Sequence, residues 1–291
     1  MAGELRTIVV GTSLDDNSEA VARLGAEAAK ATGAKLHLVH ASPAFPAGGE
    51  GWALPLDTSG LLRPAEDDDL RAALAAQASR VGAGDWVLET GPPHRVLSEV
   101  AERLDAGLVI VGSVTGGPLA RLLGSTADRV VRKARRPVLV ARGEPRLPPG
   151  RVLAPVDLSP LSGQALRRGL GLLRALGGDG PFPLVEALFA LSVVQRQTSP
   201  QFTPDQIDRM AGEELERFVA AHAGDVEVQR RVRTGNVREE ILAELAESGA
   251  DLIVIGTHGR GGFDRFVIGS VAADVVREAP CSVLVIPPSE L

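Results

Sequence analysis

The stretch Leu252-Ile253-Val254-Ile255-Gly256-Thr257-His258-Gly259, with Gly269-Ser270 following after nine further residues, decides how this chain reads. Four apolar residues in a row predict a buried parallel strand, and the glycine that ends it lets the backbone turn where a Cβ would clash. Gly269-Ser270 stands directly before a helical stretch expected from Val271 to Ala279. Ser270 suits an N-cap, so its hydroxyl, the amides of the first turn and the helix dipole would all point into the concavity that the loop encloses. An anion is the expected occupant. Rival phosphate motifs fail here: a Walker-type loop needs a Gly-Lys pair, which the chain lacks. The dinucleotide fingerprint fails as well, because Gly259-x-Gly261 has Asp264 at the third glycine position and follows a late strand.

The same pattern occurs earlier in the chain. Leu108-Val109-Ile110-Val111-Gly112-Ser113 matches Leu252 to Thr257 at an offset of 144 residues, whereas Gly124-Ser125 and Val138-Leu139-Val140 match Gly269-Ser270 and Val283-Leu284-Val285 at 145. Upstream, Thr7-Ile8-Val9-Val10 corresponds to Arg151-Val152-Leu153-Ala154. So long a period means duplicated whole domains rather than a solenoid; the expected domains are 1–143 and 150–291. Between them Glu144-Pro145-Arg146-Leu147-Pro148-Pro149-Gly150 makes a short, stiff connector. Strands are expected near 6–11, 35–41, 85–90, 107–112 and 137–141, then near 151–156, 184–190, 226–233, 251–256 and 282–287. Helices are expected near 17–32, 65–81, 93–104 and 125–134. Short apolar strands alternating with helices, joined by right-handed crossovers, predict an α/β fold of two tandem doubly wound domains, each a five-stranded parallel sheet flanked by helices. Thr203-Pro204-Asp205-Gln206 should start a helix running to about His222, and Gly33 should stop one. The stretch from Ser42 to Pro64, rich in Pro and Gly, is too long for an ordinary loop and reads as a mobile segment or lid, with Trp52 either covering a pocket edge or packing on the sheet rim.

Composition sets the class. Hydrophobic residues make up 44% of the 291 and charged residues 23%, with no apolar run long enough to cross a bilayer. The start carries no basic-then-apolar secretion pattern, so the cytoplasm is the expected location and no membrane is implied. A net charge of −6 argues against a nucleic-acid surface. The basic run Arg129, Arg132, Lys133, Arg135 and Arg136 reads as a solvated helix end. The single cysteine, Cys281, excludes an intrachain disulfide and reads as a partly buried structural thiol.

The spacing Gly256-x2-Gly259-x9-Gly269-Ser270, after a Val/Ile-rich strand and before a helix and a Val-Leu-Val strand, resembles the nucleotide-binding signature of the universal stress protein family. The family's second mark, an aspartate at the end of the first strand, has its counterpart in Val152-Leu153-Ala154-Pro155-Val156-Asp157. The resemblance implies an adenine nucleotide alpha hydrolase-like fold in tandem form. It places the switch point between the first and fourth strands of each half, where Asp157 should face the Gly256 loop. It implies that Pro155, Val156 and Asp157 line adenine and ribose, and that Ala190 contacts the base through its backbone. Gly256, His258, Gly259, Arg260, Gly269, Ser270 and Val271 would hold the ribose and phosphates. The implied ligand is ATP, or ADP or AMP, with or without magnesium, and the implied role a nucleotide-dependent stress-response or signalling module with an unidentified protein partner. Terminal edge strands pair in that family, which here predicts docking of the two halves and assembly of chains into a homo-oligomer.

The residues leave plainer alternatives open. Asp157 could cap the helix that follows Asp157-Leu158-Ser159-Pro160. His258 could be an exposed loop residue, while Arg260, with a permanent cation and forked donors, suits phosphate better. The first copy departs from the pattern: Ser13 stands where Asp157 does, Thr115 where Gly259 does, and its glycine loop is one residue shorter. Its expected role is therefore structural, with nucleotide bound weakly or not at all. As an enzyme the chain offers at most slow ATP hydrolysis, because the sequence presents no poised base, no carboxylate cluster for metal and no candidate catalytic residue. A scaffold that binds no nucleotide is the third class.

Overall fold

The computed structural model describes residues 5–42, 64–113, 124–143, 145–178, 180–197, 201–259 and 268–288. The stretch 43–63 with Trp52, the position of Thr115, and the loop 260–267 with Arg260, Gly261, Phe263 and Phe266 lie outside the described residues.

The first half contains β1 (Thr7–Gly11), α1 (Asp16–Thr32), β2 (Lys35–Ser42), α2 (Pro64–Val81), β3 (Asp85–Thr90), α3 (Pro93–Arg103), β4 (Leu108–Gly112), α4 (Ser125–Arg132) and β5 (Val138–Ala141). The second contains β6 (Arg151–Val156), α5 (Pro160–Gly177), β7 (Leu184–Leu191), a short α6 (Val193–Gln197) that the sequence pattern did not reveal, α7 (Pro204–His222), β8 (Val228–Thr234), α8 (Val237–Ser248), β9 (Leu252–Gly256), α9 (Ser270–Glu278) and β10 (Ser282–Ile286). The expected boundaries hold to within about two residues. Local chemistry explains several of them. Thr203 and Gln206 form a reciprocal capping box at the start of α7, and Gly33 ends α1 in the left-handed conformation at φ 72°.

The ten strands form one sheet in the order β3-β2-β1-β4-β5-β10-β9-β6-β7-β8. Every pairing is parallel except β5 with β10, which run antiparallel with Leu139 opposite Leu284. The two halves are thus fused at their last strands, as the edge-pairing expectation required. That fusion uses up both terminal edges, so the homo-oligomer expected through these strands has no edge left to form on. The edges that remain, β3 and β8, carry Asp85 and Glu89, and Arg230, Arg231 and Arg233, charges that discourage strand addition.

Helices α1, α2, α5 and α7 pack on one face of the sheet and α3, α4, α8 and α9 on the other, each layer closing over an apolar cluster. This explains why the central strands read as unbroken apolar runs: both of their faces are buried. Gly169 lets α5 approach the sheet so closely that a Cβ there would overlap Val254. The basic run of α4 is engaged at the surface, with Arg132 paired to Asp128, Arg135 to Glu102 and Arg136 to Asp105.

Two polar clusters fix the junction. Asp251, at the start of β9, accepts from Arg146 Nη2 at 2.6 Å and from the amides of Gly150 at 2.9 Å and Arg151 at 3.0 Å, tying the connector down. Burial acts to raise its pKa, but these hydrogen bonds outweigh it and hold the carboxyl below its ordinary value. Arg142, just past β5, reaches into the second half, where its guanidinium donates to the carbonyls of Ala279, Val276 and Arg277 at the end of α9. A cation there also complements the negative end of the helix dipole. By the repeat its counterpart is Pro287, so the clamp exists on one side only. Nearby, burial pushes the Cys281 thiol up to about 11.

Arg142→Ala strips three carbonyls of their buried donor and is expected to lower the unfolding free energy by about 1–3 kcal/mol in urea titrations. Arg142→Lys should recover only part of the loss, because one ammonium cannot reproduce the fork. Cys281 should resist alkylation in the native protein at about pH 8 and react fully once the protein is unfolded, since the thiolate is the reactive form.

Candidate functional site

The carboxyl ends of β6 and β9 lie side by side at the point where strand order reverses in the second half. This is where open parallel sheets bind ligands. β6 ends in Pro155-Val156 and delivers Asp157. The chain then passes through Leu158 in the left-handed region at φ 63°, an uncommon state for a bulky residue. Leu14 does the same at φ 63° in the first half, which confirms the alignment that sets Ser13 against Asp157. The kink allows Asp157 Oδ1 to accept from the Ser159 amide at 3.0 Å. Ser159, not Asp157, is the N-cap of α5, accepting from the Ser162 amide at 3.2 Å. The capping alternative for Asp157 therefore falls to its neighbour.

The other carboxylate oxygen of Asp157 faces the glycine loop. A Cβ on Gly259 would lie 2.5 Å from Asp157 Oδ2, so any side chain there displaces either the loop or the carboxylate. Gly256 serves a different end: a Cβ on it would lie 3.0 Å from Ala165 Cβ, so the glycine lets α5 close over the strand end. Between them Thr257 is tied to the sheet, its amide donating to Ile286 O at 3.1 Å and its carbonyl accepting from the Gly269 amide at 2.7 Å. This last bond carries the start of α9 back onto the end of β9 across the intervening loop. The His258 ring is buried, with Nδ1 2.8 Å from Thr257 Oγ1, so the exposed-loop alternative for it does not hold.

One sequence expectation needs correction. The N-cap of α9 is Gly269, with extended geometry and no side-chain cap bond, and Ser270 is the first helical residue with its side chain exposed. The glycine takes this place because its amide must close on Thr257 while its carbonyl accepts from Ala273 at 2.9 Å. The helix accordingly starts one residue earlier than expected. The amides of its first turn, at Ser270 and Val271, still open at the carboxyl edge of the sheet, where a helix start attracts anions. Ala190 lies at the end of β7, beside Arg233 of β8 and one residue beyond the pairing of Phe189 with Val156.

The structure thus brings Val156, Asp157, Gly256, Thr257, His258, Gly259 and Gly269 to one edge, with Pro155, Ala190, Ser270 and Val271 around them. Arg260 lies outside the described residues. Thr257 is the residue that sequence reasoning missed; its signal was a polar residue immediately after a fully apolar strand. Among the described residues no cluster of three metal-ligating side chains occurs.

The first half uses the corresponding positions for itself. Thr12, the counterpart of Val156, has its hydroxyl 2.9 Å from Ser18 Oγ and 2.8 Å from Gln77 Oε1, and it accepts from the Leu14 amide. Its carbonyl is met by His40 Nδ1 at 2.8 Å. Ser13 donates to Asp15. Gly124 is the N-cap of α4, as Gly269 is of α9.

The family model for universal stress proteins matches this chain twice, over residues 4–142 and 149–287. The chain belongs to the universal stress protein family. A universal stress protein of Mycolicibacterium smegmatis is 34% identical over 200 residues, which covers 63% of this chain and 62% of that protein's length. A solved universal stress protein from Pseudomonas aeruginosa shares the fold across 99% of this chain and 95% of its own, with a TM-score of 0.67 and 20% identity. Another, solved in complex with cAMP, is 27% identical and covers 48% of this chain and 98% of its own, with a TM-score of 0.36. Among the described residues of this universal stress protein, no helix is long and apolar enough to cross a membrane.

Gly259→Ala should destabilise the second half, because the new methyl meets Asp157. Adding Asp157→Ala should recover part of the loss, with a coupling of about 0.5–3 kcal/mol in a double-mutant cycle read by thermal denaturation.

Proposed function

We propose that this universal stress protein binds an adenine nucleotide, with ATP the expected form, in its second half, and that the bound state sets the conformation of the glycine loop as a stress-response signal. One observation carries the reading. Asp157 lies against Gly259, which has no room for a Cβ, and two residues before that glycine Thr257 accepts from the amide of Gly269, the N-cap of α9. A carboxylate acceptor beside a set of amide donors is what a ribose bearing phosphates needs. Asp157, with Pro155 and Val156, would take the ribose and base, and Ala190 would offer backbone to the base. Gly256, His258, Gly259, Gly269, Ser270 and Val271, with Arg260, would take the phosphates, with or without magnesium. The first half serves as scaffold, a role that its self-satisfied Thr12 network supports. No side chain is assigned as catalyst, and hydrolysis of bound ATP would be slow.

Calorimetric titration of ATP with magnesium into nucleotide-stripped protein should give about one site per chain. Asp157→Ala and Gly259→Val should each abolish the heat, while Ser13→Ala should leave it unchanged. A folded sample showing neither heat nor thermal stabilisation with millimolar ATP would sink the proposal and favour a scaffold without nucleotide.

A further inference from the structure

Away from the nucleotide edge, two carboxyl groups meet inside the second half. Glu186, on β7, and Glu244, on α8, are 6% and 3% exposed. β7 and α8 pack against each other, which sets the two carboxyls in one buried cluster where Glu244 acts on Glu186. Glu244 Oε2 accepts from Arg233 Nη1 at 2.8 Å and lies 3.7 Å from Arg231 Nε, both on β8. Glu186 has no such donor, and its Oε1 is buried with no hydrogen-bond partner.

The surrounding charges do not balance the pair. Arg233 is already divided among Glu240, Glu244 and Glu247 of α8. Arg231 is largely exposed, and Arg151 on β6 acts on Glu186 only through space. On α9, which packs beside α8, Arg277 is engaged with Asp274, and Glu278 with Arg238. Of these groups only Glu186 and Glu244 are buried, and Glu186 alone lacks an arginine donor, so its negative charge would sit where charge is poorly solvated. An ionised carboxylate there, without a donor, costs far more than a neutral one. A single proton removes that charge and turns Glu186 into a donor.

The first half lacks the device. Register against β1 and β6 places His37 where Glu186 stands, and the repeat offset places Val100 where Glu244 stands. The pair is therefore a property of the second half and not of the shared architecture.

We propose that Glu186 is protonated in the native protein, and that its proton holds α8 against β7 and β8 as a latch that opens when it is lost. Because α8 leads directly into β9, the latch makes the docking of the layer behind the glycine loop depend on proton concentration. Burial, and then the neighbouring Glu244, raise the pKa of Glu186 above its ordinary value. For a carboxyl shifted upward, the stabilisation is complete below the unfolded-state value and is lost as pH rises through the folded-state value. The latch is accordingly closed on the acid side and weakens toward neutral and alkaline pH.

The unfolding measurement is made without nucleotide, so the test is independent of the function proposed above. Urea unfolding of the full chain from about pH 4 to about pH 8 should show the unfolding constant of the unsubstituted protein rising, relative to Glu186→Gln, by up to about tenfold per pH unit between the unfolded-state and folded-state values of Glu186. Glutamine keeps the donor and never ionises, so the two proteins should converge at the acid end. Parallel curves across the whole range would overturn the proposal. A second measurement needs no variant: in the protein with carbon-labelled glutamate carboxyls, one side chain should titrate by NMR well above the rest. Titration of all of them at ordinary values would overturn it equally.

Discussion

The antiparallel pairing of β5 with β10 is the contact on which the rest of the molecule depends. Each half ends in a short strand that is apolar on both faces, and such a strand left at an edge would expose both its backbone and its side chains. Setting Leu139 opposite Leu284 covers both edges at once and makes a single ten-stranded sheet. Both helix layers then run continuously across the junction, with α1 against α5 on one face and α4 against α9 on the other. The connector has little left to do beyond holding register, and Asp251 fixes it by gathering Arg146 and two backbone amides.

From that symmetric frame the halves have diverged at their strand ends. Both keep the left-handed leucine after the first strand and a glycine N-cap on the last helix. The second half places a carboxylate against a glycine loop and ties the loop's two ends through Thr257. The first half turns the same ground into an internal network of Thr12, Ser18, Gln77 and His40. Arg142 links the two outcomes, because a residue of the first half caps the far end of the helix whose beginning frames the site in the second.

Much of this was legible in the chain. Short apolar runs gave the strands, the offsets of 144 and 145 gave the duplication, and the capping box at Thr203 gave the start of α7. The short α6 was not legible, because five residues carry too little periodicity to register. Nor was the cap of α9: Ser270 has the better intrinsic preference, but the bond from the Gly269 amide to Thr257 overrides it. Glu186 and Glu244 give no local sign that they share a cluster, since they stand 58 positions apart with three elements, α6, α7 and β8, between them.

The sequence by itself determined most of the secondary structure, the repeat and the family, because each is written in patterns of consecutive residues that can be compared along the chain without knowing which parts touch. Only the tertiary structure decided which side chains touch. It set Asp157 against Gly259, buried His258 beside Thr257, sent Arg142 across to α9 and buried Glu186 and Glu244 where α8 packs on β7. The physical reason is that local propensity fixes the course of the backbone, whereas the partner of a buried charge is whatever the folded sheet and its helices bring within hydrogen-bonding distance.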